Sequence, residues 1–239
     1  MVLWAGPSRI DGTPIMAVAS CYREESENGK TGDMVQVWIG RQDMSPMDAW
    51  RSNRDDAVCP SACRHRSDNE GTCYVDLARL LAAWKAAVTL VEAGRVGFPP
   101  GILEGALVRI GMWGDPSAVP LWVWERIAAQ AKGHTGYTAA WRTLDPTTWG
   151  KVIMASVGSP ADALRAKSLG WRGFASSDTP ADDQAFADDA GLRLCLAESD
   201  GMTCASCRGC DGTDRGAKRP SFYNPVHGAV AAARRRRAA

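Results

Sequence analysis

The chain has 239 residues, 45% of them apolar and 23% charged, with a net charge of +1. That composition belongs to a folded protein with a large core and excludes a disordered or fibrous chain. The near-zero charge excludes an overall field for nucleic acid or membrane surfaces, and no apolar run reaches bilayer-spanning length.

Residues 1–20 lack the charged start and apolar core of a signal peptide. The expected location is therefore the cytoplasm. Thiols stay reduced there, so the eight cysteines read as ligands rather than disulfides.

Residues 1–33 are rich in turn signals: Gly6-Pro7, Asp11-Gly12, Asn28-Gly29 and Thr31-Gly32-Asp33. The β-branched run Met34–Ile39 predicts a strand. Residues 41–72 are polar and read as irregular. From Val75 the period changes, with Leu77, Leu80, Leu81, Trp84, Val88 and Val91 predicting an amphipathic helix that ends near Gly94.

A strand–helix rhythm follows. Val108–Trp113 predicts a strand running into Gly114-Asp115-Pro116, then a helix across Leu121–Lys132 and a strand over Thr135–Trp141. Val152–Val157, Trp171–Ser176 and Leu192–Cys195 predict further strands, and Ser221–Val226 another. The two intervening helices begin alike, with Ser159-Pro160-Ala161-Asp162 and Thr179-Pro180-Ala181-Asp182, and close on Gly170 and Gly191. A hydroxyl N-cap, Pro at the first helical position and a closing Gly are standard helix punctuation. Strands alternating with helices imply βαβ units and a parallel sheet. The expected fold is α/β: a parallel βα barrel or partial barrel, TIM-barrel-like, with irregular cysteine-bearing loops. One domain is expected over 1–228, followed by a basic, disordered tail over 229–239.

The chemistry is concentrated in two cysteine groups. The later one holds Cys195, Cys204, Cys207 and Cys210, the last three at every third position in a Gly/Ser/Asp-rich loop. Such spacing lets sulfurs meet at one point, as a tetrahedral metal or an iron–sulfur cluster requires. Structural zinc, with Cys195 as fourth ligand, is the alternative to a cluster. The earlier group is Cys59-Pro-Ser-Ala-Cys63 with Cys73. Three thiolates on a four-iron cluster leave one iron open to a small molecule or anion. His65, beside two arginines, is not counted as a ligand, and Cys21 reads as an ordinary buried residue. Cys195 and Gly114-Asp115 fall at predicted carboxyl ends of strands, where parallel α/β proteins place their sites; His227 is expected at another.

Several stretches together carry a resemblance: Asn28-Gly-Lys-Thr-Gly32, Cys59-x3-Cys63 with Cys73-Tyr74, Arg109–Asp115, Gly136-Tyr-Thr-x2-Trp141, the Cys195–Cys210 loop, and Ala217–Ser221 through His227. The chain resembles uncharacterised phage- and plasmid-borne proteins that look like relatives of the radical-SAM superfamily, over roughly residues 28–228. The resemblance implies a barrel or partial barrel in a phage's or plasmid's bacterial host, with a four-iron cluster held by Cys59, Cys63 and Cys73. It also implies that Gly114 and Asp115 stand where the family's Gly-Gly-Glu strand end meets S-adenosylmethionine. The family spaces its cysteines as Cys-x3-Cys-x2-Cys, whereas nine residues separate Cys63 from Cys73 here, and the aromatic Tyr74 follows.

Among the ten tryptophans, Trp84, Trp122 and Trp124 are expected in the core, and Trp113 and Trp141 near strand ends. Arg234–Arg237 form a solvated tail, with nucleic-acid contact as the minority reading. Three histidines supply little for hydrolytic acid–base chemistry. The expectation is an iron–sulfur redox or radical enzyme, or a non-catalytic cluster-binding relative. The competing expectation is a zinc-stabilised protein that meets nucleic acid.

Overall fold

The computed structural model describes residues 1–20, 29–213, 216 and 218–225. They group into two compact units: residues 1–20 with 33–134, and residues 29–32 with 135–225. No helix among them is long and apolar enough to cross a membrane.

In the first unit, strands β1 (Val2–Pro7), β2 (Pro14–Ser20) and β3 (Val35–Arg41) form an antiparallel meander. Residues 1–20, expected as a turn-rich segment, are thus mostly strand. Pro7 pairs with Pro14 at the turn end of the hairpin, and Gly12 takes the positive φ that the turn needs. The run Ile15–Ala19 is buried on both faces, so it shows none of the alternation that marks a half-buried strand.

Helix α1 (Pro46–Arg51) falls in the stretch expected to be irregular. Ser45 caps it, accepting from the Asp48 N–H at 3.2 Å. Helix α2 (Leu81–Glu92) follows a 3-10 turn at Leu77–Leu80, as the periodicity predicted, and Gly94 closes it at φ 68°. Strand β4 (Leu107–Ile110) joins β3 in parallel, and α3 (Leu121–Gln130) follows. Val2, Met16, Val18, Trp38, Leu77, Leu80 and Trp113 share one buried cluster, with Trp84 packed against it. Trp124 is fully buried, but Trp122 is 52% exposed and not core as expected. In α3 the inward face is Val123, Trp124 and Ile127, so the apolar residue at 122 falls outside the buried stripe.

The second unit is parallel throughout. It holds β5 (Gly133–Thr138) from Thr135 onward, α4 (Trp149–Val152), β6 (Met154–Val157), α5 (Pro160–Ser168), β7 (Gly173–Ser177) and α6 (Pro180–Asp188). It continues with β8 (Arg193–Leu194), α7 (Leu196–Ser199), α8 (Cys204–Cys207) and β9 (Phe222–Pro225). The start of the predicted 152–157 strand is helical, because Trp149–Val152 forms a single turn before β6 begins. Both Pro-started helices are capped as predicted, Thr179 and Asp182 making a full capping box.

The strand order is β5-β6-β7-β9-β8, with the last strand in sequence lying between β7 and β8. The α/β class and the predominance of parallel pairing stand as expected. The strands do not close into a barrel among the described residues.

Candidate metal centres

Each unit gathers one of the two cysteine groups. All seven described cysteines are free thiols, Cys59 and Cys210 buried and the others half-buried. Cys21, His227 and Arg234–Arg237 lie outside the described residues.

The first group sits in the loop after α1. A 3-10 turn at Asp55–Ala57 leads into it, and the Asp55 carbonyl accepts from the Val58 and Cys59 N–H groups at 3.0 and 2.8 Å. Asn69 Nδ2 donates to the carbonyls of Ser61 and Cys63 at 3.1 and 2.8 Å. The Cys73 N–H donates to His65 O at 3.1 Å, and His65 Nδ1 lies 2.9 Å from Thr72 Oγ1. These bonds fold the nine-residue spacer back on itself, so Cys73 returns to Cys59 and Cys63 despite the long gap. The thiols are close enough that Cys63 and Cys73 each act electrostatically on Cys59.

Gly114 and Asp115 belong to the same neighbourhood. The Asp115 N–H donates to Val58 O at 2.7 Å, one residue from Cys59, and the Asp115 charge acts on both Cys59 and Cys63. Gly114 has φ 76°, and a Cβ there would meet Ile39 at 2.8 Å, so no other residue fits without displacing β3. Asp115 Oδ1 is committed to capping the next turn, accepting from the Ser117 N–H at 2.9 Å.

The second group follows β8. Cys195 precedes α7, and Thr203 caps the single turn α8, which places Cys204 and Cys207 three apart on one face. Arg208 then takes a left-handed conformation, φ 49°, which stops the turn before Cys210. Cys210 packs with Met154, Phe222, Tyr137, Phe174 and Leu196. The charges of Cys195, Cys204 and Cys207 all act on it. Residues 30 and 31 brace the loop, Lys30 O and Thr31 O accepting from the N–H groups of Cys204 and Ala205 at 3.1 and 2.9 Å. Lys30 Nζ pairs with Glu198 at 3.0 Å, and its charge partly opposes the burial that raises the Cys195 pKa.

Sequence reasoning missed Arg172, which anchors this loop. It is 3% exposed and donates to the carbonyls of Gly209 and Pro220, both at 2.6 Å, to Gly212 O, and to Asp211 Oδ1 at 3.2 Å. Arg219 holds both Asp211 oxygens at 2.8 Å. An arginine between Trp171 and the small residues of a buried parallel strand was the available signal, since a charge is buried there only with a dedicated partner.

Burial dominates the acid–base character of the thiols. It pushes Cys63 up to about 12, Cys73 up to about 11 and Cys210 up to about 12, and it raises Cys59 and Cys195 as well. Burial is partly opposed by the N–H groups of His65, Val75 and Ala197, which favour the thiolate of Cys63, Cys73 and Cys195, and by the Tyr137 hydroxyl, which favours that of Cys210. Three of the four donors are backbone N–H groups two residues beyond their cysteine, an arrangement that stabilises sulfur as an anion. Among the described residues, no group of three or more His, Cys, Asp or Glu side chains already has the form of a metal site. By residue type, free thiols are soft ligands suited to a thiolate-bound metal or cluster, and here two are buried and five half-buried.

No protein-family model, curated protein sequence or solved structure matches the chain.

Proposed function

We propose that this protein binds a metal centre in each of its two units, with an iron–sulfur cluster on Cys59, Cys63 and Cys73. A second cluster or a zinc ion sits on Cys195, Cys204, Cys207 and Cys210. What carries this reading is that each unit gathers one cysteine group at a single loop region, Cys59, Cys63 and Cys73 in one and Cys195, Cys204, Cys207 and Cys210 in the other, all as free thiols. Gathered soft thiols suit a thiolate-bound metal or cluster.

Three cysteine ligands leave one position of the first centre for a different ligand. A relative of the radical-SAM superfamily would use it for S-adenosylmethionine at Gly114 and Asp115. The altered cysteine spacing and the use of Asp115 as a cap favour a cluster-binding relative that takes another small molecule or anion. Closure of the strands into a barrel is part of that resemblance and shares its standing as a proposal. A bacterial cytoplasm, in the host of a phage or plasmid, is the compartment that suits such a centre. The zinc and nucleic-acid alternative depends on Arg234–Arg237, and no contact in the described residues favours it.

Protein prepared without oxygen is expected to be brown, to contain iron and acid-labile sulfide, and to absorb broadly at about 400 nm. A colourless protein holding only zinc would overturn the iron reading. Addition of S-adenosylmethionine and dithionite then separates the enzyme from the binder, since only the enzyme cleaves the cofactor.

A further inference from the structure

We propose that Asp55 supplies the fourth ligand of the first centre, making its ligand set three thiolates and one carboxylate. The inference rests on the reading that Cys59, Cys63 and Cys73 hold a metal.

Asp55 is 0% exposed. Its Oδ1 accepts from Ser67 Oγ at 3.0 Å and lies 3.6 Å from Arg66 Nη2. Its Oδ2 is buried and has no hydrogen-bond partner. An orphaned carboxylate oxygen in a protein interior is costly, and a cation is the natural partner for one. The surroundings point to where that cation would sit. Asp55 acts electrostatically on all three thiols of the group, Cys59, Cys63 and Cys73, and its carbonyl holds the Cys59 N–H.

Asp115 is the other carboxylate near Cys59 and Cys63, but its Oδ1 caps the following turn. Asp55 has an oxygen to give. Asp55 is also well braced for the task, because Ser67 and Arg66 belong to the spacer that returns Cys73 to the site. On metal entry the three thiols lose their protons to solvent and Asp55 binds as the carboxylate. Oxygen is a weaker partner than sulfur for a soft metal, so this ligand is the one an external thiolate would displace.

The test uses the full chain and Co2+ alone as probe, titrated without oxygen while thiolate-to-cobalt absorption is recorded. The wild-type protein is expected to take up two Co2+, with three thiolates at one site and four at the other. Asp55→Asn keeps the side-chain shape and the bond from Ser67, and is expected to weaken one Co2+ at least tenfold while leaving the four-thiolate band intact. Asp55→Cys is expected to restore tight uptake and to raise the charge-transfer intensity of that site by about one third, four thiolates replacing three.

Wild-type affinity in Asp55→Asn would overturn the proposal. So would Asp55→Cys that binds as weakly as Asp55→Asn and gains no intensity, because Asp55 would then only brace the loop. If Asp55→Asn does not fold, judged by its far-ultraviolet circular dichroism, Asp55→Cys alone decides. Cys59→Ser separates the two levels of the reading. Should it leave Co2+ uptake unchanged, the metal reading of the first group fails, and the assignment of Asp55 with it.

Discussion

Arg172 and Asp211 form an ion pair inside the second unit, Nη1 to Oδ1 at 3.2 Å, with 3% and 2% of their side chains exposed. Asp211 follows Cys210 directly, and Arg172 leads into β7. The pair therefore ties the end of the cysteine loop to the sheet, and the carbonyls of Gly209 and Gly212 are held by the same guanidinium. Burial lowers the Arg172 pKa, and the charges of Asp211 and Cys210 oppose that shift.

Arg172→Met leaves Asp211 paired with Arg219 at 2.8 Å but strips the carbonyls of Gly209, Gly212 and Pro220 of their buried donor. It is expected to cost about 1–3 kcal/mol for each buried acceptor left unsatisfied. Urea unfolding of the two proteins measures this directly. The variant should also lose metal from the Cys195–Cys210 group, while the first group keeps its own. A variant as stable as the wild type would mean that the loop is held chiefly by its metal.

Ligand substitution should separate cysteines that hold metal from cysteines that merely pack. Cys204→Ala, Cys207→Ala and Cys210→Ala are each expected to lower stability markedly in metal-loaded protein, since binding free energy at such sites is folding free energy. Cys21→Ala should cost about 1 kcal/mol or less. Thermal unfolding with and without a chelator checks both, and the three loop variants should respond little to the chelator.

The capping box at α6 gives a local control. Thr179 Oγ1 accepts from the Asp182 N–H at 3.1 Å, and Asp182 Oδ2 accepts from the Thr179 N–H at 3.0 Å. Thr179→Ala should cost about 1 kcal/mol and leave metal content unchanged. Denaturant unfolding and metal analysis on one preparation decide it.

Acid should weaken the first unit through Asp43. Arg41, 6% exposed at the end of β3, donates to both Asp43 oxygens at 2.9 Å, and that bond holds the Asp43 carboxyl below its ordinary value of 3.8. A lowered folded pKa means that the unfolded chain binds the proton more readily. The stabilisation is therefore present above pH 3.8 and is lost as pH falls through the lower folded value. Asp43 is 53% exposed, so solvent screening keeps the effect small. Asp43→Asn should flatten this part of the acid unfolding curve, as followed by tryptophan fluorescence.

Much of the second unit was legible without coordinates. Ser159-Pro160-Ala161-Asp162 and Thr179-Pro180-Ala181-Asp182 announce helices because capping is a bond between near neighbours, and Gly170 and Gly191 end them for an equally local reason. Ser45-Pro46-Met47-Asp48 has the same form and starts α1, yet the polar residues around it masked the signal. The hairpin β1–β2 stayed hidden because both of its faces are covered, which removes the alternation from Ile15–Ala19.

By itself the sequence determined that seven of its cysteines fall into two groups, Cys59 to Cys73 and Cys195 to Cys210, because spacing along the chain is a local property. Tertiary structure decided what those loops stand beside. The place of β9 between β7 and β8, the burial of Arg172 against Asp211, and the buried, unpartnered Oδ2 of Asp55 all depend on residues that are distant in the chain or ordinary in type. No local propensity encodes such contacts. They follow from which surfaces the packed core leaves facing one another.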